Sequence, residues 1–251
     1  CLLSRGLGDV YKRQVHSIVV NGFNQVILLG KTSSSDYPVT ENAFDTTYNG
    51  AEDICLTVLS DSGDSLIGST YVGGEDFDGQ NVVPGSYSGF KGEVVCDLYS
   101  NVYVASTSSS DTFPVTNGAF QTQRDSLQDA VVFKLTYNLS DMLFSTYLGT
   151  EAHDAAFNLK PAKDNTVYVT GATGSANFPV TTGAHDESFN FGNYDAFITR
   201  FDQNGENILH STYIQSDSNG DDKGYFLQID RYKDIYAVSY THLRAHETRG
   251  N

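Results

Sequence analysis

The sequence has little of what several protein classes require. It contains no Trp, one Met and only three Cys, so a disulfide-stabilised small domain is excluded. Its 15 basic residues stand against 31 acidic ones, and the formal charge of −16 argues against binding to a nucleic-acid backbone. No apolar run approaches the length of a membrane-spanning helix, so no such helix is predicted.

The residues that are abundant point to β structure. Gly (23), Tyr (16) and Phe (15) are frequent. Aromatic and β-branched residues favour strands, and Gly, Asn, Asp and Ser favour the turns between them. Cys55 and Cys96 each lie in a short apolar run, and we interpret both as small buried side chains. The composition therefore predicts an all-β protein.

Three short phrases recur along the chain. In each, 76 residues separate the first two copies, and 65 or 66 separate the next two. A repeat of this length predicts a solenoid or a propeller. The copies are Ser69-Thr70-Tyr71, Ser145-Thr146-Tyr147 and Ser211-Thr212-Tyr213; Tyr37-Pro38-Val39-Thr40, Phe113-Pro114-Val115-Thr116 and Phe178-Pro179-Val180-Thr181; and Asp53-Ile54, Asp129-Ala130 and Asp195-Ala196.

The third unit shows the pattern of four short strands with two tight turns. Thr166–Thr170 alternates as a strand and is predicted to stop at Gly171, and Asp202–Gly205 is a hairpin turn. Four strands per unit predict a β-propeller blade. The predicted segments are 15–72, 92–148, 155–214 and a partial blade at 224–238, which make about three and a half antiparallel blades of an incomplete ring.

Both ends fall outside this pattern. Residues 1–14 and 239–251 match no part of the repeat and resemble translated sequencing-adapter sequence. We therefore expect them to be non-native and set them aside, together with the His242 and His246 pair that would otherwise suggest a zinc ligand set.

The repeats resemble a known family. The run "DAFITRFDQNGENILHSTY", the strands "NVYVAST" and "TVYVTGAT", and the phrase "FPVTNGAF" are similar to the seven-bladed β-propeller (SBBP) repeat family across nearly all of 15–238. The resemblance implies a secreted or surface-anchored bacterial protein and brings no general enzymatic activity. We expect an extracellular binding or scaffold module that takes a glycan or another surface protein, with the rest of the propeller lying outside this chain. The alternative is a propeller enzyme, a hydrolase or lyase, that acts on polysaccharide.

The candidate site lies in the loops that join one blade to the next. These loops are acidic, and Asp78, Asp154 and Asp222 occupy equivalent positions, with Asp76 and Asp221 beside them. One interpretation is a set of carboxylates that binds a cation or polar ligand. The other is that each Asp accepts backbone N–H bonds and closes a turn. No catalytic residue or required cofactor is predicted, although Asp217, Asn219 and Asp221 have the alternating spacing that begins a calcium loop. The aromatic-Pro-Val-Thr phrase is predicted to be structural, with the Pro fixing the backbone and the aromatic ring packing against a neighbouring blade.

Overall fold

The computed structural model describes residues 13–81, 92–190, 192–215 and 220–241. Every element in this part of the chain is a strand. The predicted all-β class is therefore confirmed. The strands are β1 (Arg13–Val20), β2 (Val26–Thr32), β3 (Asp53–Leu59), β4 (Leu66–Val72), β5 (Glu93–Cys96), β6 (Val102–Ser108), β7 (Asp129–Leu135), β8 (Met142–Leu148), β9 (Asp154–Pro161), β10 (Val167–Thr173), β11 (Asp195–Phe201), β12 (Ile208–Ile214), β13 (Asp222–Ile229) and β14 (Ile235–Thr241).

The strands form three four-stranded antiparallel sheets in chain order, β1–β4, β5–β8 and β9–β12, followed by the β13–β14 hairpin. Each strand pairs with its sequence neighbour, as in a propeller blade. Consecutive sheets pack through their first strands: β1 contacts β5, β5 contacts β9 and β9 contacts β13. One apolar core lies between the first two sheets and a second lies between the next two.

One predicted strand end was wrong. The strand that should stop at Gly171 runs on to Thr173, with a register shift between Thr170 and Gly171. A Cβ at Gly171 would lie 1.8 Å from the carbonyl oxygen of Ala155, so this glycine permits a close approach within the sheet rather than ending the strand. In addition, β1 begins inside the segment 1–14 and β14 ends inside the segment 239–251. Residues 1–12 and 242–251, with His242 and His246, lie outside the described residues.

The long loop between the second and third strands of each sheet covers the outer edge of the fourth strand. In the first sheet, Thr40 N donates to Ser69 O at 3.0 Å and Tyr71 N donates to Asp45 O at 3.1 Å. Equivalent bonds join Thr116 to Ser145 and Thr181 to Ser211, at 3.1 and 3.0 Å. Because these bonds use backbone groups that an edge strand would leave open, the loop protects the sheet edge from pairing with another chain.

The Ser-Thr-Tyr phrase holds this loop in place through hydrogen bonds. Thr70 Oγ1 accepts from Asp45 N at 2.9 Å, and the Tyr71 hydroxyl donates to Ser34 O at 2.8 Å. The hydroxyls of Tyr147 and Tyr213 donate in the same way to Ser110 O and Ser175 O, at 2.6 and 2.8 Å. The phrase recurs because each copy holds its own loop through side-chain hydrogen bonds.

The aromatic-Pro-Val-Thr phrase belongs to the same loop and packs its ring against the fourth strand. The rings of Tyr37, Phe113 and Phe178 are buried, and their centroids lie 5.7, 5.9 and 6.2 Å from the tyrosine rings of the fourth strands. The predicted structural role of the phrase is confirmed. Each of these ring contacts lies within a single sheet, whereas the sequence favoured packing on a neighbouring blade.

We predict that Tyr147→Phe lowers the free energy of unfolding by about 1 kcal/mol, because the buried carbonyl of Ser110 loses its hydroxyl donor. Urea denaturation measures the change. Tyr137→Phe is the matched control, since that side chain is 48% exposed in the β7–β8 turn and should lose almost nothing. Equal losses in the free energy of unfolding for the two variants would contradict the role of the Tyr147 hydroxyl in holding the loop.

Candidate functional site

The structure separates the predicted site residues by burial. Asp76 is exposed, and Asp221 is partly exposed and accepts from the Asn193 backbone N at 2.9 Å. In contrast, Asp78, Asp154 and Asp222 are almost completely buried. Asp217 and Asn219 of the suggested calcium loop lie outside the described residues, so that hypothesis stays a prediction.

The predicted equivalence of the three buried carboxyls holds in detail. The backbone N–H groups of Asp78, Asp154 and Asp222 donate to Glu52 O, Gln128 O and Tyr194 O, at 2.7, 3.0 and 2.8 Å. Each acceptor directly precedes the aspartate that begins the third strand of the preceding sheet. The same backbone bond therefore ties every sheet to the next one.

The carboxylates of Asp78 and Asp154 close turns. Asp78 Oδ2 accepts from Gly74 N at 2.7 Å and from Ser110 Oγ at 2.9 Å. Asp154 Oδ2 accepts from Thr150 N and from Ser175 Oγ, both at 2.9 Å. These bonds agree with the turn-closing interpretation, and each bond to a serine reaches into the next sheet's long loop.

Each buried carboxyl has a partner that the sequence did not connect with it. A Cβ at Gly73 would lie 2.7 Å from Asp53 Oδ1 and 2.9 Å from Asp78 Oδ2, so both carboxyls reach the same point. At Gly149, Asp129 Oδ1 and Asp154 Oδ2 converge in the same way, at 2.9 and 2.6 Å. We call Asp53 with Asp78, and Asp129 with Asp154, the first and second junction pairs.

Burial raises the pKa of every carboxyl in the junction pairs. It brings the pKa of Asp78 and of Asp154 to about 7 and that of Asp53 to about 6, and it also raises the pKa of Asp129. Repulsion adds to this effect, since the charge of Asp53 acts on Asp78 and that of Asp129 acts on Asp154. Hydrogen bonds from the turns oppose the shift without cancelling it.

No lysine or arginine in the described part of the chain forms an ion pair with a junction-pair carboxyl. Lys31, which lies on the neighbouring strand, pairs with Glu52 instead, at 2.5 Å. A buried carboxylate without a counter-charge is costly, so each pair must take up a proton or a cation to become stable.

A pocket of about 420 Å³ opens at the first junction. Its wall combines the long loop of the first sheet, the connecting loop and the long loop of the second sheet. Glu75 joins the last two, because its carboxylate accepts from Asp111 N and Thr112 N, both at 3.0 Å. The lining residues are Phe44, Asp45, Asn49, Gly73, Gly74, Glu75, Thr112 and Pro114. The pocket is therefore acidic and placed directly over the first junction pair.

Among the described residues, no three His, Cys, Asp or Glu side chains converge into a ready-made metal centre. Within the same residues, no helix is long and apolar enough to cross a bilayer. Cys55 is buried as predicted, whereas Cys96 is only partly buried. Both thiols are free, and burial raises the pKa of each.

We predict that the protein loses stability as the pH rises from about 5 to 8 in a chelating buffer. A carboxyl with a folded pKa near 7 and an unfolded pKa near 3.9 favours folding while it holds its proton, and this contribution disappears as the pH passes through the folded pKa.

Asp78→Asn should reduce this loss of stability with rising pH, so the stability of the variant relative to the native protein should be greater at pH 8 than at pH 5.5. The midpoints of urea denaturation at pH 5.5 and 8 measure the change in stability, and Asp61→Asn, at an exposed position, is the control. Parallel pH profiles for the native protein and Asp78→Asn would contradict the raised pKa.

We predict that Gly149→Ala destabilises the protein by about 1–3 kcal/mol, since the added methyl group meets two carboxyl oxygens inside van der Waals distance. Gly22→Ala is the control, because a Cβ there has nothing within 4 Å, and its effect should stay within about 0.5 kcal/mol. Thermal unfolding of both variants tests the prediction, and a neutral Gly149→Ala would show that the junction is not closely packed.

The comparisons with known proteins leave the family open. No family model matches the chain. No curated protein matches it either. Among solved structures, the acylaminoacyl peptidase of Pyrococcus horikoshii, in its orthorhombic crystal form, is similar at 8% identity with a TM-score of 0.40. The match covers 93% of this chain and 33% of that one, so this chain spans about a third of its length.

Proposed function

We propose that this chain is part of a larger β-propeller that serves as a non-enzymatic binding or scaffold module of a bacterial secreted or surface protein. The SBBP-like repeat supports the extracellular setting, and the three consecutive four-stranded sheets support the blade architecture. A ring of six or seven such blades needs roughly 400–450 residues, so the described sheets would supply only part of it.

The exposed apolar faces of the outermost sheets support the same proposal. Ile18 and Val20 of β1 are 65% and 57% exposed, and Tyr236 and Val238 of β14 are each 60% exposed. Equivalent faces of the inner sheets are buried against a neighbouring sheet. These two surfaces are where we expect further blades to pack.

The junction pocket is the observation that carries the binding role. Asp45, Glu75 and Asn49 offer carboxylate and amide groups, while Phe44 and Pro114 add apolar surface. Carboxylates accept hydrogen bonds from hydroxyl groups, and flat apolar surface suits the carbon face of a sugar ring. A neutral glycan therefore fits this pocket better than an anion would.

Binding is favoured over polysaccharide cleavage by the symmetry of the carboxyl pairs. Glycoside hydrolysis needs one carboxyl to act as an acid and one as a base, which requires environments that push their pKa values apart. In the first junction pair both pKa values move upward for the same reason, which is burial. The second pair repeats that environment.

A glycan array with the purified chain tests the proposal. For a glycan that binds, Asn49→Ala should weaken the affinity about tenfold, the equivalent of roughly 1.4 kcal/mol, because the exposed amide lines the pocket. Asn204→Ala, in the exposed β11–β12 turn, is the control and should bind normally.

Chromatography of the bound oligosaccharide should find it intact after prolonged incubation. Cleavage products that disappear in Asp45→Asn would overturn the binding proposal in favour of the enzyme. Absence of any glycan binding at millimolar protein would overturn the choice of ligand.

A further inference from the structure

The first junction pair contains buried oxygens that nothing in the protein satisfies. Asp53 and Asp78 are both 0% exposed, and the Oδ1 atom of each has no hydrogen-bond partner. Asp53 Oδ1 is also the atom that reaches the shared point beside Gly73, facing Asp78. Buried polar atoms are almost always bonded, so the unpaired Asp53 Oδ1, which lies at this point together with Asp78 Oδ2, indicates a missing partner.

The second junction shows what such a partner does. There the Gln121 amide donates from Nε2 to Asp129 Oδ2 at 3.1 Å, while its Oε1 accepts from Gly149 N at 3.0 Å. Ser126 Oγ also donates to Asp129 Oδ1 at 2.7 Å. The inner oxygen of Asp129 is therefore satisfied within the protein.

The first junction has a carboxylate in place of that amide. Asp45 occupies the position of Gln121, because its backbone N donates to Thr70 Oγ1 at 2.9 Å just as Gln121 N donates to Thr146 Oγ1 at 3.0 Å. An aspartate cannot donate, and its charge adds to the negative potential on Asp53. Asp78 Oδ1 and Asp154 Oδ1 are unpaired at both junctions. The two junctions therefore differ at the third-strand aspartate, whose Oδ1 is unpaired beside Asp45 and bonded to Ser126 beside Gln121.

We propose that the first junction pair binds a divalent cation of the calcium type, held by the carboxylates of Asp53 and Asp78. Calcium takes oxygen ligands and readily accepts water among them. The pocket lined by Gly73 is large enough to hold that water. Two carboxylates match the charge of one divalent ion. This proposal does not depend on the glycan ligand.

The cation would link the first two sheets. Asp53 begins β3 of the first sheet, while Asp78 is hydrogen-bonded to Ser110 in the long loop of the second. An ion held between them therefore stabilises the packing of one sheet on the next, and competes with protons for the same oxygens.

Calorimetric titration of the full chain with calcium chloride at pH 8 tests the proposal. We expect binding that is lost in Asp53→Asn and in Asp78→Asn, and is retained in the matched double variant Asp129→Asn/Asp154→Asn. At a hundredfold excess over Kd, calcium should raise the unfolding temperature of the native protein by about 5 °C or more. At pH 5 the affinity should fall at least tenfold.

Two results would overturn the proposal. One is absence of both heat and thermal shift at pH 8, which would mean that a shared proton satisfies the pair. The other is calcium binding that survives Asp53→Asn or is lost equally in the second-junction variant. Asp45→Asn provides a milder test that keeps both ligands, and it should weaken calcium binding without abolishing it. Glycan binding measured with a chelator present distinguishes failure of this proposal from failure of the pocket's proposed ligand.

Discussion

The architecture depends on how buried carboxyls join one sheet to the next. At both described junction pairs, the aspartate that begins a third strand meets the aspartate of the following connection across a glycine. The turn amides and a serine of the next loop bind the second carboxyl. Because no cationic side chain in the described part of the chain pairs with these carboxyls, burial and the repulsion of neighbouring aspartates raise the pKa of both Asp53 and Asp78. A contact that joins consecutive sheets is thus also sensitive to pH.

The long loops place an acidic pocket beside the first junction pair. Each long loop bonds to the edge of its fourth strand through the Ser-Thr-Tyr phrase, so the loop contributes a fixed wall rather than a free segment. At the first junction two such loops and the connecting loop enclose the acidic pocket. A rigid scaffold that presents polar groups from variable loops is a general arrangement for binding sites, and it agrees with the proposed role.

Much of the fold could be predicted from the sequence, because strand alternation and turn residues are local signals. The four-stranded blades lie near the predicted segments, but a strand end could not be predicted correctly, since Gly171 permits close packing instead of ending a strand. The equivalence of Asp78 and Asp154 was also readable from the repeat. Their partners Asp53 and Asp129 were recognised only as repeat markers, because a contact across a glycine between distant segments leaves no periodic pattern. The difference between Gln121 and Asp45 could be interpreted only once the structure placed these equivalent residues beside the second and first junction pairs.

We expect the junction carboxyls to keep their protons at pH values far above the usual titration range of aspartate unless a cation replaces them. Carbon-13 NMR of the aspartate carboxyl carbons, followed from pH 3 to 9 in metal-free buffer, observes that protonation directly. We predict that Asp78 and Asp154 titrate with midpoints at about pH 7. Midpoints near the model-peptide value of about 3.9 for both residues would contradict it.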